Sequence, residues 1–342
     1  MARSAVVIDP EYLKHDPGRL HPERPQRLEV LLDLARGLDA QKFQLLPPRA
    51  ASREEIASCH AGDYIDRVQA TSTVNRCALD GDTVTSRDSF GVGLLATGGL
   101  LKLCDAIAAG EARNGFALVR PPGHHALKDR AMGFCLFNTV AVGARHVLRH
   151  YGAERVLIMD WDVHHGNGTQ DAFYHERSVL YLSTHQYPYY PGTGAADESG
   201  AGAGEGYTVN LPLPAGCGDP EYLRVFKDIV LLIAEKFAPD WIFVSAGFDP
   251  HRRDPLGGMN VTESGFGAMA AMLVALAEKY AGGKIAFLLE GGYDLSALKN
   301  SVAAVLEKMA GKAESKAQSA KGGEAVEPVI RRVLAIQDKY WF

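Results

Sequence analysis

Short apolar runs of strand composition alternate with helix-length segments along this 342-residue chain, and that alternation restricts the fold more than any other feature. The runs are 5–8, 115–119, 155–159, 178–183, 207–211, 241–245 and 284–289, all rich in Val, Ile, Leu or Phe. Between them apolar residues recur at helical spacing, as at Leu28, Leu31, Leu32 and Ala35, and across 89–109, 137–150, 221–237, 263–280 and 294–310. Strands separated by helices pair in parallel and need cover on both faces. The expected class is therefore α/β, a single domain with a central, largely parallel sheet flanked by helices. No repeat or change of composition divides 1–310, which reads as that domain. Residues 311–327 are low in hydrophobicity and read as a flexible surface loop or linker, with 328–342 a short helix docking back on the body.

In parallel sheets ligands bind beyond the carboxyl ends of the strands. Four of these runs lead into polar motifs: His124-His125, the stretch Asp160 to Gly168, Phe248-Asp249 and Gly292-Tyr293. Those ends are expected to lie together. If the chain stays extended past Met159, then Asp160, Asp162 and His164 point to one side. Two carboxylates and an imidazole suit a divalent metal, although a buried ion-pair cluster or a helix-capping turn is the alternative for this stretch alone. Asp162, His164 and Asp249 together would supply three ligands and leave a position open, the pattern of a catalytic metal site. Two carboxylates cancel the ion's charge, so a general base is needed, and His124 and His125 are the candidates. Asp160 would orient one imidazole by accepting its N–H, and Asn167 the other through its amide oxygen. Tyr293, after two glycines, would donate its hydroxyl to a carbonyl oxygen that gains charge during reaction.

Composition excludes several classes. A formal net charge of −5 argues against nucleic acid as the main partner. Five cysteines without a CxxC fit a reducing compartment and exclude a cysteine-rich zinc site. The run 5–8 is too short for a signal peptide, and no window approaches the roughly 20 apolar residues of a membrane span. The expectation is a soluble, cytoplasmic protein with no membrane partner and an open oligomeric state.

Arg-Pro-Pro-Gly-His-His at 120–125, Gly-Phe-Cys at 133–135, Asp-Trp-Asp-Val-His-His-Gly-Asn-Gly at 160–168, Gly-Phe-Asp at 247–249 and Glu-Gly-Gly-Tyr at 290–293 carry a family likeness. On these motifs the chain resembles the histone deacetylase family of the arginase/deacetylase superfamily, from His21 to Asp294. The resemblance implies Zn²⁺ on Asp162, His164 and Asp249, and water attack on an acetamide carbonyl. It assigns His125 as main general base and then acid, His124 with Asp160 as an electrostatic pair, and Tyr293 as the group that binds the carbonyl oxygen. It implies an acyl-lysine tunnel walled by Phe134 and Tyr190 with Gly133 beside it. It also implies structural K⁺, one ion at Asp160, Asp162, His164 and Ser183 and a second near Phe173, Val179 and Tyr207. Asn167 and Glu290 resemble class II members and bacterial deacetylase-like amidohydrolases. Leu256 stands where acetylpolyamine deacetylases carry an acidic gate, which favours acyl-lysine in a protein or peptide. The alternative is a small-molecule deacetylase acting on acetylpolyamines or an acetoin-utilisation-type metabolite. A two-metal ureohydrolase would need carboxylates beyond Asp249 in 246–249, and a non-catalytic acyl-lysine binder would lack a ligand, base or tyrosine. No role for His165 can be argued from the sequence, and it is most simply a packed neighbour.

Overall fold

The computed structural model describes residues 2–311 and 322–342, so most of the expected linker lies outside the described residues. Among the described residues there are ten strands: β1 (Ser4–Val7), β2 (Phe43–Leu46), β3 (Arg76–Ala78), β4 (Val84–Ser86), β5 (Gly115–Ala117), β6 (Val156–Asp160), β7 (Val179–Gln186), β8 (Thr208–Leu213), β9 (Trp241–Ala246) and β10 (Ile285–Leu289). Eight form a sheet of order β2-β1-β5-β10-β9-β6-β7-β8, flanked by helices, while β3 and β4 make an antiparallel hairpin. The α/β class with a central parallel sheet is thus as expected. Two strand elements escaped the sequence reading. β2 has only a half-buried face, and the hairpin falls partly in a segment read as turn.

The chain divides into two compact units. The first comprises Met1–Gly152, Asn167–Ala172 and Ala286–Gly291. There β1 pairs with β2 and β5, and β10 joins β5 with Leu288 opposite Ala117. Helix Ser89–Ala108 corrects the statement about membrane spans: its 20 residues are long and apolar enough, but 67% of its most apolar window is buried inside the protein, as in a core helix. The polar loop before Gln26 is anchored by charge. Glu23 is fully buried and takes bonds from Arg120 Nε at 2.5 Å, Arg27 Nη1 at 3.1 Å and His15 Nε2 at 3.2 Å. Burial opposes its ionisation, yet Arg120, His15 and Arg27 hold the carboxyl well below the usual range.

The second unit comprises Ala153–Gly166, Phe173–Ile285 and Gly292–Phe342. Its register sets up the chemistry. β6 lies between β9 and β7, with Asp160 opposite both Ser245 and Ser183. All five residues of β6 are buried, Val156 to Met159 as their apolar composition requires and Asp160 with the Tyr181 hydroxyl as a hydrogen-bond donor. Asp162 is two residues beyond Asp160, and Asp249 is four beyond Ser245. The helix Glu327–Trp341 is held by Gln337 Nε2 to Thr208 O (3.2 Å) and Trp341 Nε1 to Gly206 O (2.9 Å).

Candidate active site

Beyond β6 the backbone does not stay extended, which corrects the geometry assumed for this stretch. Asp160 Oδ1 accepts the Asp162 N–H (3.1 Å) and Asp162 Oδ1 accepts the His164 N–H (2.9 Å). These two successive turns of the kind that Asp side chains make with the backbone two residues on curl the chain. They bring Asp162 and His164 together without a strand. Asp249 arrives from the end of β9, its Oδ1 accepting the Val163 N–H at 2.8 Å. His164 Nδ1 ends 3.1 Å from Asp162 Oδ1 and 3.2 Å from Asp249 Oδ2. Asp162 and Asp249 are fully buried.

One ligand atom from each of these three residues lies within 4.8 Å of the others. Burial, then the neighbouring Asp162 charge, pushes Asp249 up to about 7. Burial opposes charge on His164, but hydrogen bonds to Asp162 and Asp249 raise it well above the ordinary histidine value. A divalent ion bound by these three groups would compete with protons for them. Asp249 Oδ2 faces His164 Nδ1 at 3.2 Å, in a contact that falls short of full hydrogen-bond geometry, and is buried. Gly247 completes the cradle: a Cβ there would stand 2.1 Å from Asp162 Oδ2, so only glycine lets the carboxylate adopt this position. The residues fit a divalent metal. Zinc accepts two carboxylates and an imidazole.

In the first unit the tandem histidines are buried with rings 4.0 Å apart. His125 Nδ1 is 2.8 Å from Asn167 Oδ1, as expected, and Asn167 Nδ2 faces Met132 Sδ at 3.6 Å. Asn167 opens the helix Asn167–Phe173. The backbone under the histidines is gripped by Glu290, whose Oε2 accepts the N–H groups of Gly123 (2.7 Å) and His124 (3.2 Å). The sequence reading missed this role, because a carboxylate that serves backbone amides leaves no spacing signature. In the second unit Asp160 Oδ2 accepts the Tyr181 hydroxyl at 3.1 Å.

Gly133 has φ +56°, and a Cβ there would lie 2.3 Å from His125 Cδ2. Phe134 follows with φ +68° and packs edge-on against His21 at 4.6 Å between ring centres. The Phe134 N–H is held by Thr83 Oγ1 at 3.1 Å. We expect Gly133→Ala to displace the His125 ring and lower kcat roughly tenfold to a hundredfold while the metal content of the purified protein stays unchanged. Wild-type turnover would show that the close approach is unimportant.

Of the aromatic loop, Tyr190 meets His164 edge-on at 5.9 Å, and Tyr189, not singled out before, stacks on His164 at 5.6 Å and 16°. Tyr189 also donates its hydroxyl to Leu256 O at 3.1 Å, joining the aromatic loop to the gate turn. Ser183 Oγ pairs with His185 Nδ1 (2.9 Å). Among the other expected cation-site residues, the Phe173 and Tyr207 carbonyls accept the Glu176 and Tyr181 amides, and Val179 opens β7. His165 packs at 4.8 Å from His185 and bonds Thr193 Oγ1 at 2.8 Å, a packed neighbour as read from sequence.

A histone deacetylase domain model matches residues 21–309. A probable deacetylase of Archaeoglobus fulgidus is 40% identical over 90% of this chain and 86% of its own length. Histone deacetylase 15 of Arabidopsis thaliana is 43% identical over 90% of the chain, and histone deacetylase HDA1 of Saccharomyces cerevisiae is 38% identical over 94%. The matches span only 57% and 49% of those two longer proteins. The crystal structure of the HDA15 HD domain superposes with a TM-score of 0.93 at 40% identity, covering 99% of this chain and 95% of the other. With its motifs, its parallel sheet and these likenesses in agreement, the chain belongs to the histone deacetylase family and is an amide hydrolase of the deacetylase type.

Proposed function

We propose that the chain removes acetyl or related acyl groups from lysine ε-amines in proteins or peptides, with Zn²⁺ held by Asp162, His164 and Asp249. The buried three-ligand cluster carries this reading, since its carboxylates and imidazole share charge that a divalent ion balances. Such an ion would act as a Lewis acid toward the acyl carbonyl and acidify water. His125 is the base. Its Nδ1–H is directed to Asn167 Oδ1, which leaves Nε2 to take a proton from water and later return it to the departing amine. A neutral amide partner raises imidazole basicity less than a carboxylate would, which suits a group that must also give its proton back. His124, its N–H held by Glu290, supports charge beside it. The Tyr293 hydroxyl would donate to the carbonyl oxygen as negative charge builds there. The products are a free amine and a carboxylate. K⁺ at Asp160, Asp162, His164 and Ser183, and near Phe173, Val179 and Tyr207, is proposed as structural.

The partly buried Leu256 favours a neutral, apolar stem over a polyamine. A panel of acyl-lysine peptides, acetylpolyamines and short-chain acyl amides, assayed on the Zn²⁺-loaded enzyme, tests this. Acetyl-lysine peptides should exceed acetylpolyamines in kcat/KM by roughly 10- to 100-fold, the discrimination an apolar pocket supports. Inert peptides beside active polyamines would overturn the substrate class while leaving the hydrolase.

A further inference from the structure

Asp254 has no place in the chemistry described above, yet it is a buried carboxylate with more backbone partners than any capping role needs. It follows Asp249 by five residues, after a chain reversal closed by His251 N–H to Phe248 O (3.2 Å) and its own N–H to His251 O (2.8 Å). Only 7% of it is exposed. Its Oδ1 accepts the Leu256 N–H at 2.9 Å, and its Oδ2 accepts the N–H groups of Tyr293 (2.6 Å) and Asp294 (3.2 Å). One side chain thus joins the turn that carries Leu256 to the segment that carries Tyr293.

That segment needs an external anchor. Gly292 has φ +115° and lies against Phe248, so the chain turns sharply there. Two residues later Asp294 caps the helix Leu295–Ala310 through Oδ1 to the Ala297 N–H at 2.7 Å. Tyr293 sits between a glycine bend and a helix start, a place where the backbone has no ladder of its own. Both of its flanking amides, 293 and 294, close on one Asp254 oxygen. Charge-assisted bonds of this kind are short and directional.

We propose that Asp254 is a positioning residue for Tyr293: it holds the tyrosine's backbone in register with the Leu256 turn, so that the phenol hydroxyl is delivered to one place. This rests on the proposed role of Tyr293. Asn in its place keeps the shape but has one acceptor oxygen where the carboxylate uses two, and its NH₂ group would face an N–H donor. The loss should fall on the step that Tyr293 assists and hardly on ground-state binding.

The test is a double-mutant cycle on the full chain with an acetyl-lysine peptide, measuring kcat, KM, bound zinc and the melting temperature of Asp254→Asn, Tyr293→Phe and the double variant. Tyr293→Phe should lower kcat by roughly 100- to 1,000-fold, as loss of an oxyanion donor does. Asp254→Asn should lower kcat roughly 10- to 100-fold, as small misplacements do, with KM within about twofold and zinc retained. In the Tyr293→Phe background the same change should cost less than about twofold, because the group it positions is gone. Asp254→Glu, which restores a carboxylate on a longer arm, should recover part of the activity, and it repeats the cycle if the Asn variant folds poorly. Equal losses in both backgrounds, or a rise in KM alone, would overturn the inference while leaving the Tyr293 reading intact. Near-normal turnover of Tyr293→Phe would remove both.

Discussion

Asp249→Ala should purify without zinc and turn over at least about a thousandfold more slowly than the parent, since loss of several kcal/mol of charge stabilisation at the reacting carbonyl is a loss of that order. Only Asp162 and His164 would remain, held by their own turn but short of the third donor. The alanine variant also leaves the Val163 N–H without the Asp249 Oδ1 bond it has now at 2.8 Å. An unsatisfied buried N–H costs about 1–3 kcal/mol, so its melting temperature should fall as well. Asp249→Asn separates the two effects. It can keep the Val163 bond through its carbonyl oxygen, so it should melt close to the parent yet bind zinc weakly. Elemental analysis beside turnover decides the matter: one equivalent of zinc with near-normal kcat in either variant would remove Asp249 from the ligand set.

His125→Ala should retain zinc and fold, and lose roughly 10²–10⁴ in kcat, the span attributed to a positioned general base. The reason lies in the pair with Asn167, which fixes the ring and leaves one nitrogen for the proton. His124 is set differently, its backbone held by Glu290 and its ring 4.0 Å from that of His125. Removing His124 should therefore cost less than removing His125. A His125→Ala enzyme within tenfold of the parent, beside an inactive His124→Ala enzyme, would exchange the two roles.

Much of this was legible before any coordinates. The alternation of apolar runs and helices predicts the parallel sheet, because a strand buried on both faces can hardly avoid an apolar, branched sequence. The three residues of the candidate cluster, at 162, 164 and 249, were legible as residue types placed just after such runs. The path of the backbone between them was not. Whether a chain stays extended past Asp160 depends on the competition between strand pairing and the Asp side chains that bond two residues onward, and both outcomes share one sequence. β2 was missed because Phe43 is its only buried residue and the rest gives no clear alternation. Glu290, Asp254 and Tyr189 were missed for a common reason. Each acts on a backbone group or ring that is distant in sequence, through bonds or stacking that impose no local spacing.

The curl after β6 has one more consequence. Asp162 and His164 are two residues apart and meet through a local turn, whereas Asp249 reaches them from beyond β9, whose Ser245 stands opposite Asp160 of β6. A slip of one residue between those strands would reverse which way the third donor faces. Under the proposed zinc site, metal content would therefore report the alignment of β6 with β9, the pairing that brings Asp249 to Asp162 and His164.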